Sequence, residues 1–268
     1  MPYRKAWLWV VVLFALTFVA FWPGYFSKLP DKKVAHHYHA ASSVLWMILA
    51  IAQSWTPHHK QLALHRKIGL AIFLLFPFFM VAGMWVIHVE AGTVASDPTS
   101  LEGKQLAQFG FSDPLANIAF ALIFWAGLKY RYKVQLHARY MLATLLFVIS
   151  PIGFRILPML IPFLRPDENF SYAMAGGNLI ALAVTLYLFY QAPKHGRPFL
   201  IAAGFIVAQQ IAFETVGRIP GWGPVFGSVS QWNLPLLLTL TGIASVGIAW
   251  HGWVAGARPR DPRAALAA

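Results

Sequence analysis

Eight apolar runs, separated by short polar connections, make up most of this chain. A helix needs about 20 apolar residues to cross the hydrocarbon core of a bilayer, and these runs are close to that length. They predict helices at about 6–22, 39–55, 68–88, 114–128, 138–160, 172–190, 199–215 and 233–253. We therefore expect an all-α, polytopic membrane helix bundle of about eight transmembrane helices, forming one integral membrane domain over 1–268.

The composition agrees with a lipid environment. Of the 268 residues, 58% are hydrophobic and 11% are charged, whereas a soluble domain carries about 25% charged residues. The chain has no cysteine, which excludes disulfides, iron–sulfur clusters and cysteine-ligated zinc. Signatures of soluble enzymes, such as a phosphate loop, G-x-S-x-G or H-E-x-x-H, do not occur.

The basic residues orient the predicted helices. With the N-terminus in the cytoplasm, the cytoplasmic segments hold most of the 21 basic residues, including a basic extension after Gly256, and Asp261 is their one acidic residue. This asymmetry follows the positive-inside rule, so both termini are predicted to be cytoplasmic. The net charge of +12 then points to an anionic membrane surface, with the lipid bilayer as partner and no nucleic acid.

Two histidines share one depth on the predicted cytoplasmic side. His65 opens the third predicted helix and His137 immediately precedes the fifth. Neutral imidazoles from two helices can ligate one metal or haem iron, so this pair predicts a cofactor site, with haem b as its sharpest form. The alternative is that both histidines hold helix ends at the lipid headgroups.

A second histidine pair is predicted on the outer side. His39 begins the second predicted helix and His88 ends the third, and His39 closes the run 36–39, which holds three histidines. The pair predicts a weaker outer cofactor site. A solvated histidine-rich loop is the alternative.

Polar residues at membrane depth form a third group of candidates, because burying them in lipid is costly. They are predicted to line an outward-facing polar cavity, with an Arg155–Glu214 ion pair, or else to form a structural network between helices. A polar loop with Glu90, Asp97 and Glu102 is expected after the third helix. The cavity residues are Asp113, Asn117, Arg155, Asn178, Gln210 and Glu214.

Two segments resemble a family. Residues 64–69 contain H-R-x-x-G, and residues 136–144 contain H-x-R-x-M-L-x-A-T. Together with Asp113-Pro114 between them, they resemble a group of uncharacterised bacterial multi-spanning membrane proteins over roughly residues 35–160. The resemblance implies a bacterial inner (cytoplasmic) membrane location and no activity, and it marks for testing His65, Arg66, Asp113, His137, Arg139 and Arg155.

Three functions are compatible with these patterns. The leading hypothesis is a histidine-ligated haem b or metal protein for electron transfer. The second is a small-molecule transporter or binding protein that uses the outer polar cavity. The third is an accessory or scaffold subunit, with a membrane-complex partner or a second copy of the chain; whether the protein is an enzyme is left open.

Overall fold

The computed structural model describes residues 3–165 and 167–256, and the basic extension predicted after Gly256 lies outside them. Within these residues the chain is all-helical, as predicted. Its α-helices are α1 (Ala6–Phe21), α2 (Val34–His58), α3 (Leu62–Gly69), α4 (Ile72–Ser96), α5 (Leu101–Lys129), α6 (Val134–Ala143), α7 (Leu146–Leu160), α8 (Phe170–Tyr190), α9 (Arg197–Glu214), α10 (Trp222–Gly227) and α11 (Leu234–Ala255).

Six helical segments of the described chain are long and apolar enough to span a membrane. Two further helices decide whether the number is eight: α1 is apolar but has only 16 residues, and α2 has 25 residues but includes four histidines. Six helical segments of the described chain therefore have the length and composition of membrane spans, and the count of eight stays a prediction. The six segments are Ile72–Ser96, Leu101–Lys129, Val134–Leu160, Asp167–Tyr190, Arg197–Arg218 and Leu234–Ala255.

Every predicted helix overlaps an observed one, but the second, third and fourth are longer than expected. The third and fourth predicted helices correspond to α4 and α5. The polar loop predicted between them shrinks to residues 97–100, because α4 continues to Ser96 and α5 begins at Leu101. Ser100 caps α5 by accepting a hydrogen bond from the Gly103 amide at 3.0 Å. Pro114, where the fourth helix was expected to begin, therefore lies inside α5.

The predicted fifth helix is divided into α6 and α7 near Thr144. Thr144 is buried and accepts a hydrogen bond from the indole of Trp46 on α2 at 3.2 Å. Phe76 of α4 stacks on Phe124 of α5 at 4.1 Å between ring centroids, and Trp46 packs edge-on against Phe124 at 5.5 Å. Buried aromatic rings thus fill the centre of the bundle.

The two ends of the helix bundle differ in their charged residues. We call the acidic end the one at which α4 ends and α5 begins. The order of the helices places all eight acidic residues of the described chain in the half of the bundle nearest this end. They are Asp31, Glu90, Asp97, Glu102, Asp113, Asp167, Glu168 and Glu214. The basic end is the opposite one, where α5 ends and α6 begins. Hydrogen bonds join neighbouring elements at each end, such as Lys33 to Thr93 at the acidic end and Arg131 to the Trp253 carbonyl at the basic end.

Candidate functional site

Three charged side chains from three helices come together towards the acidic end. Glu90 on α4, Asp113 on α5 and Arg155 on α7 interact electrostatically with one another. Each side chain lies deep among protein atoms, although part of its own surface remains accessible. We call these three residues the charged triad.

No close ion pair neutralises the charged triad. Among the described residues, the one contact within 4.0 Å between opposite charges joins Glu214 and Arg218. In the same part of the chain, the carboxylates of Glu90 and Asp113 receive no hydrogen bond. Enclosed charges are costly unless they are paired and hydrogen-bonded, so the triad is a place where a polar ligand would gain interaction energy.

Arg155 is held by its own helix and by aromatic rings. Its guanidinium donates a hydrogen bond to the Pro151 carbonyl, one turn earlier on α7, at 2.9 Å. The guanidinium carbon also lies 4.2 Å from the ring centroids of Phe21 and Phe154. These cation–π contacts fix the charge without neutralising it.

The N-terminal part of α2 adds further polar groups near this end. Lys33 interacts electrostatically with Glu90 and donates a hydrogen bond to Thr93 at 3.1 Å. His36 and His39 follow on α2, and the Nδ1 atom of each is buried without a hydrogen-bond partner. On α5, Asn117 packs against Gly83 of α4, where a Cβ would meet its Oδ1 at 3.0 Å.

The other residues predicted for the polar cavity form a separate, hydrogen-bonded chain. Asn178 donates to Gln210 at 2.6 Å, and Gln210 donates to Glu214 at 3.1 Å. Glu214 then pairs with Arg218 at 2.5 Å. The expected Arg155–Glu214 pair is therefore wrong: Glu214 is used by Arg218, while Arg155 faces Glu90 and Asp113.

The outer histidine pair does not meet in the structure. His39 packs against the ring of Phe79, with centroids 5.6 Å apart. The ring of His88 instead reaches the Trp232 carbonyl at 3.2 Å, in the segment before α11. The two imidazoles thus have different neighbours in the structure, and a common outer cofactor site stays a prediction.

The inner histidine pair does come together. The rings of His65 on α3 and His137 on α6 lie edge to face with centroids 6.5 Å apart. The Nδ1 atom of His137 is 2.8 Å from the Gly127 carbonyl, which accepts its hydrogen and leaves Nε2 with a lone pair. The Nδ1 atom of His65 is buried without a partner.

The surroundings of His65 favour its neutral form. Burial lowers the pKa of His65 below its ordinary value, and the charge of Arg66 lowers it further. The Gln53 amide on α2 donates to the backbone carbonyl of His65 at 3.0 Å and fixes α3 beside α2. A neutral, buried imidazole is the form that ligates metals.

Glu90 is the member of the charged triad that the sequence interpretation missed, because it was assigned to a loop. The signal for a longer helix was present: Ile87, Ala91 and Val94 are spaced by four and three residues, and all three are buried. Such spacing continues the apolar face of α4 beyond His88 and carries Glu90 with it.

No second observation supports the family resemblance seen in the sequence. His65 and His137, which belong to the H-R-x-x-G and H-x-R-x-M-L-x-A-T segments, lie side by side. The assignment of these segments to a family stays a prediction. The charged triad and the histidine pair are consequently interpreted from their own geometry. No known family, curated protein or solved structure matches this chain.

Proposed function

We propose that this chain is an eight-span protein of the bacterial cytoplasmic membrane, with cytoplasmic termini, that binds a small polar solute at the charged triad. The observation that carries the proposal is the meeting of Glu90, Asp113 and Arg155, from three helices, with none of them in a close ion pair. Ionisable residues enclosed at membrane depth are costly, and they are candidates for substrate and ion pathways by default.

The charges define the class of solute. Two carboxylates attract an ammonium group, and a guanidinium binds a carboxylate or another anionic acceptor. A zwitterion such as an amino acid carries both groups and complements the triad. In the proposed orientation the acidic end is the outer one, so the solute enters from outside the cell, as expected of a transporter or a solute-binding protein.

Solute binding can be tested by thermal unfolding of the purified protein in detergent. We expect a zwitterionic amino acid to raise the unfolding midpoint more than an aliphatic diamine or a monocarboxylate does, because ligands stabilise the state they bind. Asp113→Asn and Arg155→Gln should abolish this shift. Glu102→Gln, which removes an exposed carboxylate from the same helix as Asp113, is the matched control. A shift that survives both triad substitutions contradicts the proposal.

The number of spans and their orientation can be tested by labelling, because the natural chain has no cysteine. Single cysteines at Lys60 and Asp31 should respond differently to a membrane-impermeant maleimide in intact cells. We expect labelling at Asp31 and protection at Lys60, since α2 separates them. Equal labelling at both positions would show that α2 does not cross the membrane.

The inner histidine pair supports a second candidate function, metal binding or electron transfer. Two metal–nitrogen bonds of about 2 Å each, together with the ring radii, would hold two imidazole centroids roughly 6 Å apart on opposite sides of an ion and about 5 Å apart at a tetrahedral one. The 6.5 Å between His65 and His137 is close to the first of these separations. A haem would also need an open slot beside the rings. The cavities of about 420 and 300 Å³ in the described chain are lined by other residues, and we therefore test a single ion as well as haem b.

The two forms of this second candidate give different results. A bound ion predicts that the protein retains Zn²⁺ after dialysis and that His65→Gln and His137→Gln lose it, while His195→Gln, an exposed histidine, retains it. Haem ligation predicts a Soret band after haem-replete expression. Absence of both Zn²⁺ retention and a Soret band would contradict the candidate.

A further inference from the structure

A groove of about 300 Å³ lies at the basic end between α5, α6 and α9. Its mouth is formed by Lys129 and Arg197, with Tyr130 and Tyr140 beside them. Its wall continues along α5 and α9 with apolar residues, including Leu122 and Phe205. The groove shares no residue with the charged triad.

The apolar wall is long enough for part of an acyl chain. Leu122 precedes Lys129 by seven residues and Phe205 follows Arg197 by eight, so at 1.5 Å per residue each wall extends roughly 10–12 Å from the charged mouth. Both walls run from the basic end towards the centre of the bundle. The groove therefore has a polar mouth at headgroup depth and an apolar interior at acyl-chain depth.

The mouth carries positive charge without a matching carboxylate. Lys129 lies over the rings of Trp125 and Tyr130, with its Nζ 4.8 and 5.8 Å from their centroids. Arg197 is exposed at the start of α9 and interacts electrostatically with Tyr140. No acidic residue is among the described residues that line the groove, so its charge complements an anion.

We propose that this groove binds an anionic phospholipid, with the phosphate between Lys129 and Arg197 and an acyl chain against Leu122 and Phe205. Basic pockets between helices at a cytoplasmic membrane face recognise anionic headgroups in this way. A second copy of the chain fits the groove less well, because it would have to present acidic residues from its own basic end, where the described chain has none. A bound lipid would join α5 to α9 across their common groove.

Native mass spectrometry of the full chain, purified in mild detergent, tests the proposal. The probes are phosphatidylglycerol and phosphatidylcholine with identical acyl chains, added separately to delipidated protein. We expect retention of phosphatidylglycerol over phosphatidylcholine, and a roughly 30-fold weakening of phosphatidylglycerol binding in the double variant Lys129→Gln/Arg197→Gln, the loss expected for two cations near a headgroup.

Two controls separate the groove from general attraction to positive charge. Lys60→Gln/Lys67→Gln removes two exposed cations from the same end and should leave phosphatidylglycerol binding unchanged. Inorganic phosphate should not displace the lipid, because it lacks an acyl chain. The proposal would be overturned if the protein retained the two lipids equally, or if both double variants weakened phosphatidylglycerol binding equally. It would also be overturned if phosphate displaced the lipid, or if the natural chain were a dimer that Lys129→Gln/Arg197→Gln disrupted.

Discussion

Asn178 on α8 donates a hydrogen bond from its Nδ2 atom to Oε1 of Gln210 on α9 over 2.6 Å. The Asn178 side chain also accepts a hydrogen bond from Ser150 on α7, so one buried amide connects three helices. Because its donor and acceptor groups are both used, this residue stabilises the bundle rather than awaiting a ligand. The bundle thus holds a satisfied network at Asn178 and, at the charged triad, an unsatisfied one.

The first prediction concerns this amide. Asn178→Ala leaves Gln210 and Ser150 without their partner, and a buried polar group left unpaired costs about 1–3 kcal/mol. We expect the free energy of unfolding, measured by denaturant titration in detergent, to fall by that amount. Gln191→Ala, at the exposed C-terminal end of the same helix, is the control. Equal effects of the two substitutions would show that the hydrogen bonds contribute nothing.

The second prediction concerns the close approach of α7 and α8. A Cβ atom at Gly177 would lie 2.7 Å from the Ser150 carbonyl oxygen and 2.7 Å from the Phe154 backbone nitrogen. Since both are backbone atoms, Gly177→Ala must push the helices apart, at a cost of about 1–3 kcal/mol. Gly204→Ala on α9 has nothing within 4 Å of its new Cβ and should be neutral or stabilising. Thermal unfolding of both variants checks the contrast, and a stable Gly177→Ala protein would refute it.

The helices could be predicted from the sequence because apolar composition and length are local properties. Their ends were harder to predict. The first turns of α5 carry Lys104, Gln105 and Gln108, and the sequence gives them no apolar run. Tertiary contacts support these turns, such as the hydrogen bond from the Trp222 indole to the Ala107 carbonyl at 2.8 Å, which no local pattern contains.

Which residues belong to the charged triad depends on where the helices end. Predicted depth selected Asp113 and Arg155, which interact electrostatically, and paired His65 with His137, whose rings lie close together; their role in a functional site stays a prediction. It could not choose among partners at equal depth, because depth does not say which helices are neighbours. Arg155 was therefore assigned to Glu214, although α4 and α5 supply its carboxylates.

The third prediction tests that choice of partner by double-mutant cycles. Arg155→Gln leaves Glu90 and Asp113 facing each other, which destabilises the bundle, and adding Glu90→Gln should recover part of the loss. We expect a coupling free energy of about 0.5–3 kcal/mol between Arg155 and Glu90. The Arg155–Glu214 cycle should be additive within about 0.5 kcal/mol. Unfolding free energies of the variants measure both, and larger coupling to Glu214 would restore the sequence-based pairing.

The fourth prediction concerns pH and the turn between α4 and α5. The Asp97 carboxylate accepts hydrogen bonds from the Thr99 hydroxyl and from the amides of Ser100 and Thr99, and these bonds lower the pKa of Asp97 below its ordinary value. The unfolded chain regains a pKa of about 3.9, so it takes up a proton more readily than the folded protein does. The stabilisation is therefore present above about pH 4 and is lost as the pH falls through the lower, folded-state pKa.

Asp97→Asn removes this titration while keeping one side-chain acceptor. Above about pH 4 we expect the natural protein to unfold at a higher temperature than the variant, because the charged carboxylate is the better acceptor for three donors. Below that pH the two unfolding midpoints should converge as Asp97 becomes protonated. Asp31→Asn, at another exposed carboxylate of the acidic end, controls for the loss of one charge. A difference between natural protein and Asp97→Asn that stays constant across this pH range would mean that the carboxylate's charge does not hold the turn.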